Sequence, residues 1–439
     1  MNKEMFFKIM NSEMELATGC TEPGAIALTG AWAGAELAKL GEAIDRMEIN
    51  CSTNIIKNAM AAGIPGTSYT GIPYAAAIGA VRAEPEQQLQ VINGVSQEVY
   101  RGAEALVKAG KVTMGHAKVP QKLYIEAICH GKAHVTRAVI ADLHTNLVLL
   151  EADGKALDIA AESAQATGSP APHRVPLEEI AQFLTVRSIY DFVTRELNPE
   201  TDPIDIVRQS VEVNSYICKK GLETPYGLGI GPGLEENCRR GFMQRDMVLN
   251  SMIVTTAGAD ARMAGAPYSV VANTGSGNQG ITATMPVVAL AEFNHVPQDK
   301  MLRAVTLSNL IVIRIKSKFG RLSALCGATV AGTGAACGIC YLLGGGYEEI
   351  CRTIHNMIGN VAGMLCDGAK TDCSLKISTC VNAAFQAAFM ALRGVRVEKT
   401  DGIVEEDVEH TIDNFAQLGN KGSGPMDEAM LGMILNKKA

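Results

Sequence analysis

The sequence predicts an α+β fold: a mostly α-helical catalytic domain joined to a smaller N-terminal part built on an antiparallel sheet. Three observations carry that expectation. Apolar residues make up 47% of the 439-residue chain and charged ones 19%, so much of it must be buried. Residues 112–153 break into short β-prone runs separated by turn residues. Beyond residue 173 the pattern is helical almost throughout. Aromatics are scarce at 5% while glycine reaches 44 residues, which predicts a core held by close backbone approach rather than by large rings.

Taken in order, the first forty residues read as helical, with Glu22-Pro23 as a start signal for a helix over 25–40. A strand follows at 44–52, then helices at 54–62, 74–81 and 95–109. Strands at 123–129, 133–140 and 146–150 are separated by His130-Gly131-Lys132 and by a turn near His144, as in an antiparallel meander. The Pro/Gly/Ser-rich segment 166–173 marks a boundary between an N-terminal part, 1–165, and a helical catalytic domain, 170–439. Helices are expected there at 177–196, 204–219, 235–257, 300–318, 348–365, 374–392 and 406–417.

A net charge of −7 without a long basic run argues against nucleic acid or an anionic membrane surface as a partner. The N-terminus has no sustained apolar region and no cleavage site, so a cytoplasmic protein is expected, with its twelve cysteines as reduced thiols. Residues 263–291 and 322–347 lack formal charge, but their glycines and polar side chains mark buried elements rather than membrane spans.

Three cysteines stand out. Cys366 and Cys373 would lie about 10 Å apart along one continuous helix, too far for one compact site. Gly368 can break that helix, and Asp372 can cap the next. Lys370 between them would favour thiolate, and Cys326 before Gly327 also sits at a helix junction. Three thiolates leave one corner of a four-iron cluster, or one face of a zinc ion, open to a substrate. Cys51, Cys129, Cys218, Cys238, Cys351 and Cys380 read as small hydrophobes. Cys337 and Cys340 form a C-x-x-C in an apolar helix with no nearby cation, and read as structural.

The segment Asn273-Thr-Gly-Ser-Gly-Asn-Gln-Gly280 contains a literal G-x-G-x-x-G. A dinucleotide fold is disfavoured, because Pro286 should interrupt the next helix and a further helix, not a strand, follows. The alternative is a nest of backbone amides around Ser276, Gly277, Asn278 and Gln279, suited to a substrate carboxylate. Near the N-terminus, Cys20 lies at a helix start that would lower its pKa, and Glu22 could receive an ammonium. Lys57 and Asn58, before the Gly63-Ile-Pro-Gly66 turn, form a polar cluster in apolar surroundings, with Lys57 a candidate base or carboxylate partner.

Together, Gly19-Cys-Thr-Glu-Pro23, Lys57-Asn58 with its turn, the 275–280 glycine segment, Cys326-Gly, and Cys366-Asp-Gly-Ala-Lys with Cys373 resemble the iron–sulfur-dependent L-cysteine desulfidases. That family is related to the α domain of bacterial iron–sulfur L-serine dehydratases, and the resemblance runs over nearly the whole chain. It implies a [4Fe–4S] cluster on Cys326, Cys366 and Cys373 with an open iron, and Cys20 as the family's additional cysteine. Some related dehydratases use a C-terminal cysteine as a resting ligand; the ending Asn436-Lys-Lys-Ala439 lacks one, which favours the desulfidase branch. The implied reaction is β-elimination from L-cysteine, its thiol on the open iron, to pyruvate, ammonia and sulfide, or from L-serine to pyruvate and ammonia with loss of the hydroxyl. Lys57, Cys20 or Lys370 is the implied α-proton base. A small amino acid is the expected partner, with self-association into a homo-oligomer left open. A pyridoxal-phosphate lyase using Lys57 or Lys370, and a non-catalytic iron–sulfur sensor, are the rival readings.

Overall fold

The computed structural model describes all residues except 1, 19–20, 66, 68, 161–173, 320–322 and 437–439. The expected linker at 166–173 therefore lies outside the described residues. Helix α1 (Lys3–Glu13) runs into strand β1 (Met14–Thr18), followed by α2 (Thr21–Lys39), β2 (Arg46–Cys51), α3 (Thr53–Ala59), α4 (Ile72–Arg82) and α5 (Gln97–Lys108). Strands β3 (Val112–His116), β4 (Tyr124–His130), β5 (Val135–Ala141), β6 (Leu147–Ala152) and β7 (Lys155–Ala156) complete the N-terminal part. The helical part comprises α6 (Leu177–Phe183), α7 (Val186–Asp191), α8 (Asp205–Glu223), α9 (Ile230–Arg239) and α10 (Met247–Met263), then β8 (Ser269–Asn273). Helices α11 (Gly277–Phe293), α12 (Gln298–Phe319), α13 (Gly327–Leu342), α14 (Tyr347–Val361), α15 (Cys373–Leu392), α16 (Val408–Lys421) and α17 (Ser423–Leu435) follow.

The mostly helical α+β class is as the sequence predicts. The six-stranded sheet has the order β3-β2-β4-β5-β6-β7. All its pairings are antiparallel except β2 with β3, which run parallel with Cys51 opposite His116. Alternation buries Met47, Ile49 and Cys51 of β2 and Ile125, Ala127 and Cys129 of β4 on one face, where α2 packs. Against α2 lies α4, at a separation only glycine allows. A Cβ on Gly79 would stand 1.8 Å from the Ala27 carbonyl oxygen, and one on Gly34 2.1 Å from that of Ala80. The high glycine content thus acts where two helices cross.

Several boundaries differ from expectation for local reasons. The helix expected at 177–196 breaks at Leu184, because Thr185 and Ser188 form a reciprocal capping box that starts α7. The helix expected at 235–257 breaks at Gly241 (φ +74°), and Asp246 restarts it by accepting from the Leu249 amide at 2.8 Å. Pro286 does not interrupt α11, which runs through it as a buried helix. There Ser308 Oγ donates to the Ala283 carbonyl at 2.6 Å, beside the carbonyl that the proline leaves without a helical donor. Strand β1, read as helix from sequence, pairs antiparallel with β8, Met14 opposite Asn273.

Two hydrophobic cores result. One gathers the C-terminal helices around Ile311, Phe385 and Phe415, and α1 joins it by stacking Phe6 on Phe192 at 4.1 Å between ring centroids. The other lies under the six-stranded sheet, around Trp32, Ile49, Ile78 and Leu150, and takes in Leu431 of α17. The charge-free stretches 263–291 and 322–347 fall mainly on β8, α11 and α13 in the first core. Among the described residues α15 is the one helix long and apolar enough to cross a membrane, and half of its apolar window is buried inside the protein.

Candidate active site

Between the N-terminal part and the helical part lies a cavity of about 140 Å³ lined by residues of both parts. Cys326, Cys366 and Cys373 all border it. Leu325 and Leu365 form an isolated antiparallel bridge. It is locked by the Cys326 amide donating to the Met364 carbonyl at 2.9 Å and the Cys366 amide to the Ala324 carbonyl at 2.7 Å. The chain then turns at Gly368 (φ +108°), and Cys373 opens α15. Gly368 packs so closely on the Lys57 carbonyl that a Cβ would lie 2.1 Å from its oxygen. Asp372 occupies the N-cap position of α15 but makes no capping hydrogen bond, so the expected cap is absent.

Charge around the thiols is arranged by Asp367. Burial pushes its carboxyl up, but hydrogen bonds from Lys370 and Lys376 outweigh this and hold it down at about 2. Lys370 is thus engaged with Asp367 and, at 3.7 Å, with Asp372, and does not line the cavity. Lys376 also donates to the Leu365 carbonyl at 3.1 Å. Burial pushes the Cys326 thiol well above its usual value, and the Cys366 thiol beside it adds to the effect.

The glycine segment forms the adjoining wall. Thr274 (φ +47°) and Gly275 (φ +81°) turn the chain out of β8, and Ser276 caps α11. Thr274, Gly275, Ser276, Asn278 and Gln279 face the cavity. Gly277 instead lies against the Arg262 guanidinium, where a Cβ would meet Nε at 2.3 Å. Among the described residues β8 pairs only with antiparallel β1, and α11 leads to another helix, so the surroundings a dinucleotide fold requires are absent there. Gln279 is buried; its Nε2 donates to Asn273 O and Thr274 Oγ1, while its Oε1 has no hydrogen-bond partner among the described residues.

The N-terminal part supplies the opposite wall. Thr21 Oγ1 donates to the Gly275 carbonyl at 2.9 Å, tying the start of α2 to the glycine turn. Asn58 Nδ2 donates to Glu22 Oε1 at 2.9 Å, and both side chains line the cavity. Helices α2, α11, α13 and α15 all begin at this cavity, so their positive N-terminal ends converge on it. Cys20 lies outside the described residues. Lys57, the sequence-based candidate base, is not among the lining residues: its ammonium makes a 2.6 Å ion pair with Asp427, and both side chains are buried.

Three lining residues escaped the sequence reading: His144, on the turn between β5 and β6, Arg262 of α10 and Lys316 of α12. Arg262 and Lys316 are both buried, and Arg262 Nη1 donates to Asn278 Oδ1 at 3.1 Å. A signal was present: each is a cation within a largely apolar helix, where an unrewarded charge is costly. The Cys337 and Cys340 thiols lie buried in α13, both pushed up by burial, the second to about 11. Of the cysteines read as small hydrophobes, Cys51, Cys129, Cys218 and Cys380 are buried, and Cys238 and Cys351 are partly exposed.

The donor set is three cysteine thiols, soft ligands of the kind that iron–sulfur clusters and zinc both take. Among the described residues, no group of three His, Cys, Asp or Glu side chains could hold one metal ion. The three thiols instead surround a cavity, as separate iron corners require. The Cys326 thiol, pushed up by burial with Cys366 and Cys373 adding to the effect, would be relieved by a bound cation, which deprotonates its ligands outright.

A model of the serine dehydratase alpha chain matches residues 80–432, a span that includes His144, Arg262, the glycine turn and the three cysteines. Over 99% of its length the chain is 39% identical to a UPF0597 protein of Oleidesulfovibrio alaskensis, covering 98% of that protein. It is 38% identical to one of Porphyromonas gingivalis, with 99% of both covered, and 38% identical to one of Chromobacterium violaceum. The chain belongs to the serine dehydratase alpha-chain family, a family of lyases.

Proposed function

We propose that the protein is an L-cysteine desulfidase. It would break the Cβ–S bond of L-cysteine after loss of the α-proton, releasing sulfide and 2-aminoacrylate, which water converts to pyruvate and ammonia. The observation that carries this reading is the meeting of three thiols with a two-signed polar wall in one cavity. A [4Fe–4S] cluster on Cys326, Cys366 and Cys373 would leave one iron open and supply Lewis acidity to the departing heteroatom.

The remaining work falls to the chain. Arg262, Lys316 and the first amides of α11 receive the substrate carboxylate. Glu22, Gln279 Oε1 and Asn58 Oδ1 offer acceptors to the ammonium; the latter two lack hydrogen-bond partners among the described residues. Holding both ends fixes which face presents the α-proton. His144 takes that proton on Nε2, an atom buried at the cavity wall, in place of Lys57 and Lys370, two of the three bases the sequence offered. Sulfide leaves as the aminoacrylate forms, and water then hydrolyses the aminoacrylate to pyruvate and ammonia.

The second reading is L-serine dehydration by the same residues, favoured by the family description. Sulfur as leaving group suits an iron site better than oxygen does. The test is an anaerobic assay of cluster-reconstituted protein with each amino acid, following sulfide, pyruvate and ammonia. A kcat/KM for L-cysteine above that for L-serine supports the proposal. Pyruvate from L-serine alone would replace it with the dehydratase reading, and no product from either would end both.

A further inference from the structure

Lys57 and Asp427 form a pair that no step above uses. Lys57 Nζ reaches Asp427 Oδ1 at 2.6 Å, and Asn54 Nδ2 donates to Asp427 Oδ2 at 2.8 Å. Lys57 has no side-chain exposure and Asp427 has 7%. A charge pair removed from water to this degree adds little net stability, since desolvation cancels most of its attraction. Its retention calls for another account, and its surroundings supply one.

Asp427 lies one turn into α17, whose first residue, Ser423, accepts the Ala324 amide on Oγ at 2.9 Å. The Ala324 carbonyl in turn accepts the Cys366 amide at 2.7 Å, and Ala324 lies two residues before Cys326. On the other side, the Lys57 carbonyl is the surface on which Gly368 is seated, within the turn joining Cys366 to Cys373. The next residue, Asn58, faces the cavity and holds Glu22. The contacts close a ring: the Cys326 segment to α17, α17 to α3 through the ion pair, α3 to the Gly368 turn, and Cys366 back to Ala324.

We propose that Lys57 and Asp427 are positioning residues, whose buried pair pins α17 across α3 and so sets the three cysteine segments and Asn58 at a fixed spacing. The proposal rests on the site reading above for its catalytic consequence, but not for its structural one. A bidentate anchor has a fixed direction and length, which apolar packing of the same volume lacks. The pair therefore contributes register rather than net stability.

The test uses the full chain, both cluster-free and reconstituted, with Lys57→Met, Asp427→Asn, and the double variant Lys57→Met/Asp427→Leu, which strands no charge. In cluster-free protein, alkylation of Cys366 and Cys373 by iodoacetamide and amide exchange over 364–373 are followed by peptide mass spectrometry. The double variant should keep the wild-type denaturation midpoint. Its alkylation should nevertheless quicken about tenfold and its exchange protection fall, and after reconstitution kcat should drop about 10²-fold, as expected of a misplacement near 1 Å. Asp427→Asn preserves shape and part of the hydrogen bonding but leaves the Lys57 charge without its counter-ion, so its denaturation midpoint should fall while its alkylation and exchange lie between; it decides the matter if the double variant does not fold. Wild-type alkylation and exchange in a folded double variant would overturn the proposal and leave the pair as mere packing. If wild-type protein releases no sulfide or pyruvate, the functional reading fails, while the alkylation and exchange data still judge this one.

Discussion

Replacing Gly368 by alanine tests how the cysteine loop is seated. Gly368 has φ +108°, a region L-residues rarely adopt, and its added Cβ would stand 2.1 Å from the Lys57 oxygen and 3.1 Å from its carbonyl carbon. The backbone conformation alone costs about 1–3 kcal/mol. The collision adds about 1–3 kcal/mol of overpacking, because the clash is with backbone that cannot rotate away. Ordinary contacts of this kind begin at 3.4 Å, so the loop must lift from α3 by more than about 1 Å. Gly368→Ala should therefore be destabilised by about 2–6 kcal/mol, read as a lower urea midpoint of cluster-free protein. It should also bind less iron per chain on anaerobic reconstitution, since Cys366 and Cys373 move with the loop. A variant with the wild-type midpoint, iron content and turnover would refute the packing argument at its root.

Two further outcomes follow from the same geometry. His144→Asn should lower kcat about 10²- to 10⁴-fold and slow exchange of the substrate α-proton with deuterated water, while leaving iron content unchanged; normal exchange would clear His144 of the proton transfer. His355, buried in α14 with its Nδ1 3.1 Å from Thr411 Oγ1, is pushed down from 6.5 to about 4 by burial, with the Arg396 charge adding to the effect. Its folded pKa lies below its unfolded one, so its contribution is present above pH 6.5 and is lost as pH falls through 4, amounting to about 3 kcal/mol. Urea midpoints of wild type and His355→Gln across that window should converge toward the acid end, and parallel curves would contradict the shift.

What the sequence made legible depended on how local the cause was. The main helices and the central strands were readable because apolar spacing and turn residues act within a few positions. Glu22, Asn58 and the glycine turn were readable as polar groups lodged in apolar runs. Strand β1 was not, because its partner β8 lies at Ser269–Asn273 and no neighbouring residue announces that pairing. Lys57 misled for the same reason: its Asp427 partner is 370 residues away, so its charge looked available for chemistry. His144 sits on a hairpin turn, where a histidine is usually just solvated, and only the docking of that turn against the other core brings it to the cavity.

The Lys57–Asp427 contact also bears on the order in which this protein is made ready. A link spanning 370 residues closes late in folding, after the nearby helices and the hairpins have formed. Until it closes, the cysteine segments are already present but the chamber that shields them is not. Iron delivered to such an intermediate would meet oxygen and stray thiols on an open loop. A cluster of the kind proposed would therefore find its three thiols in place only once the two parts have docked.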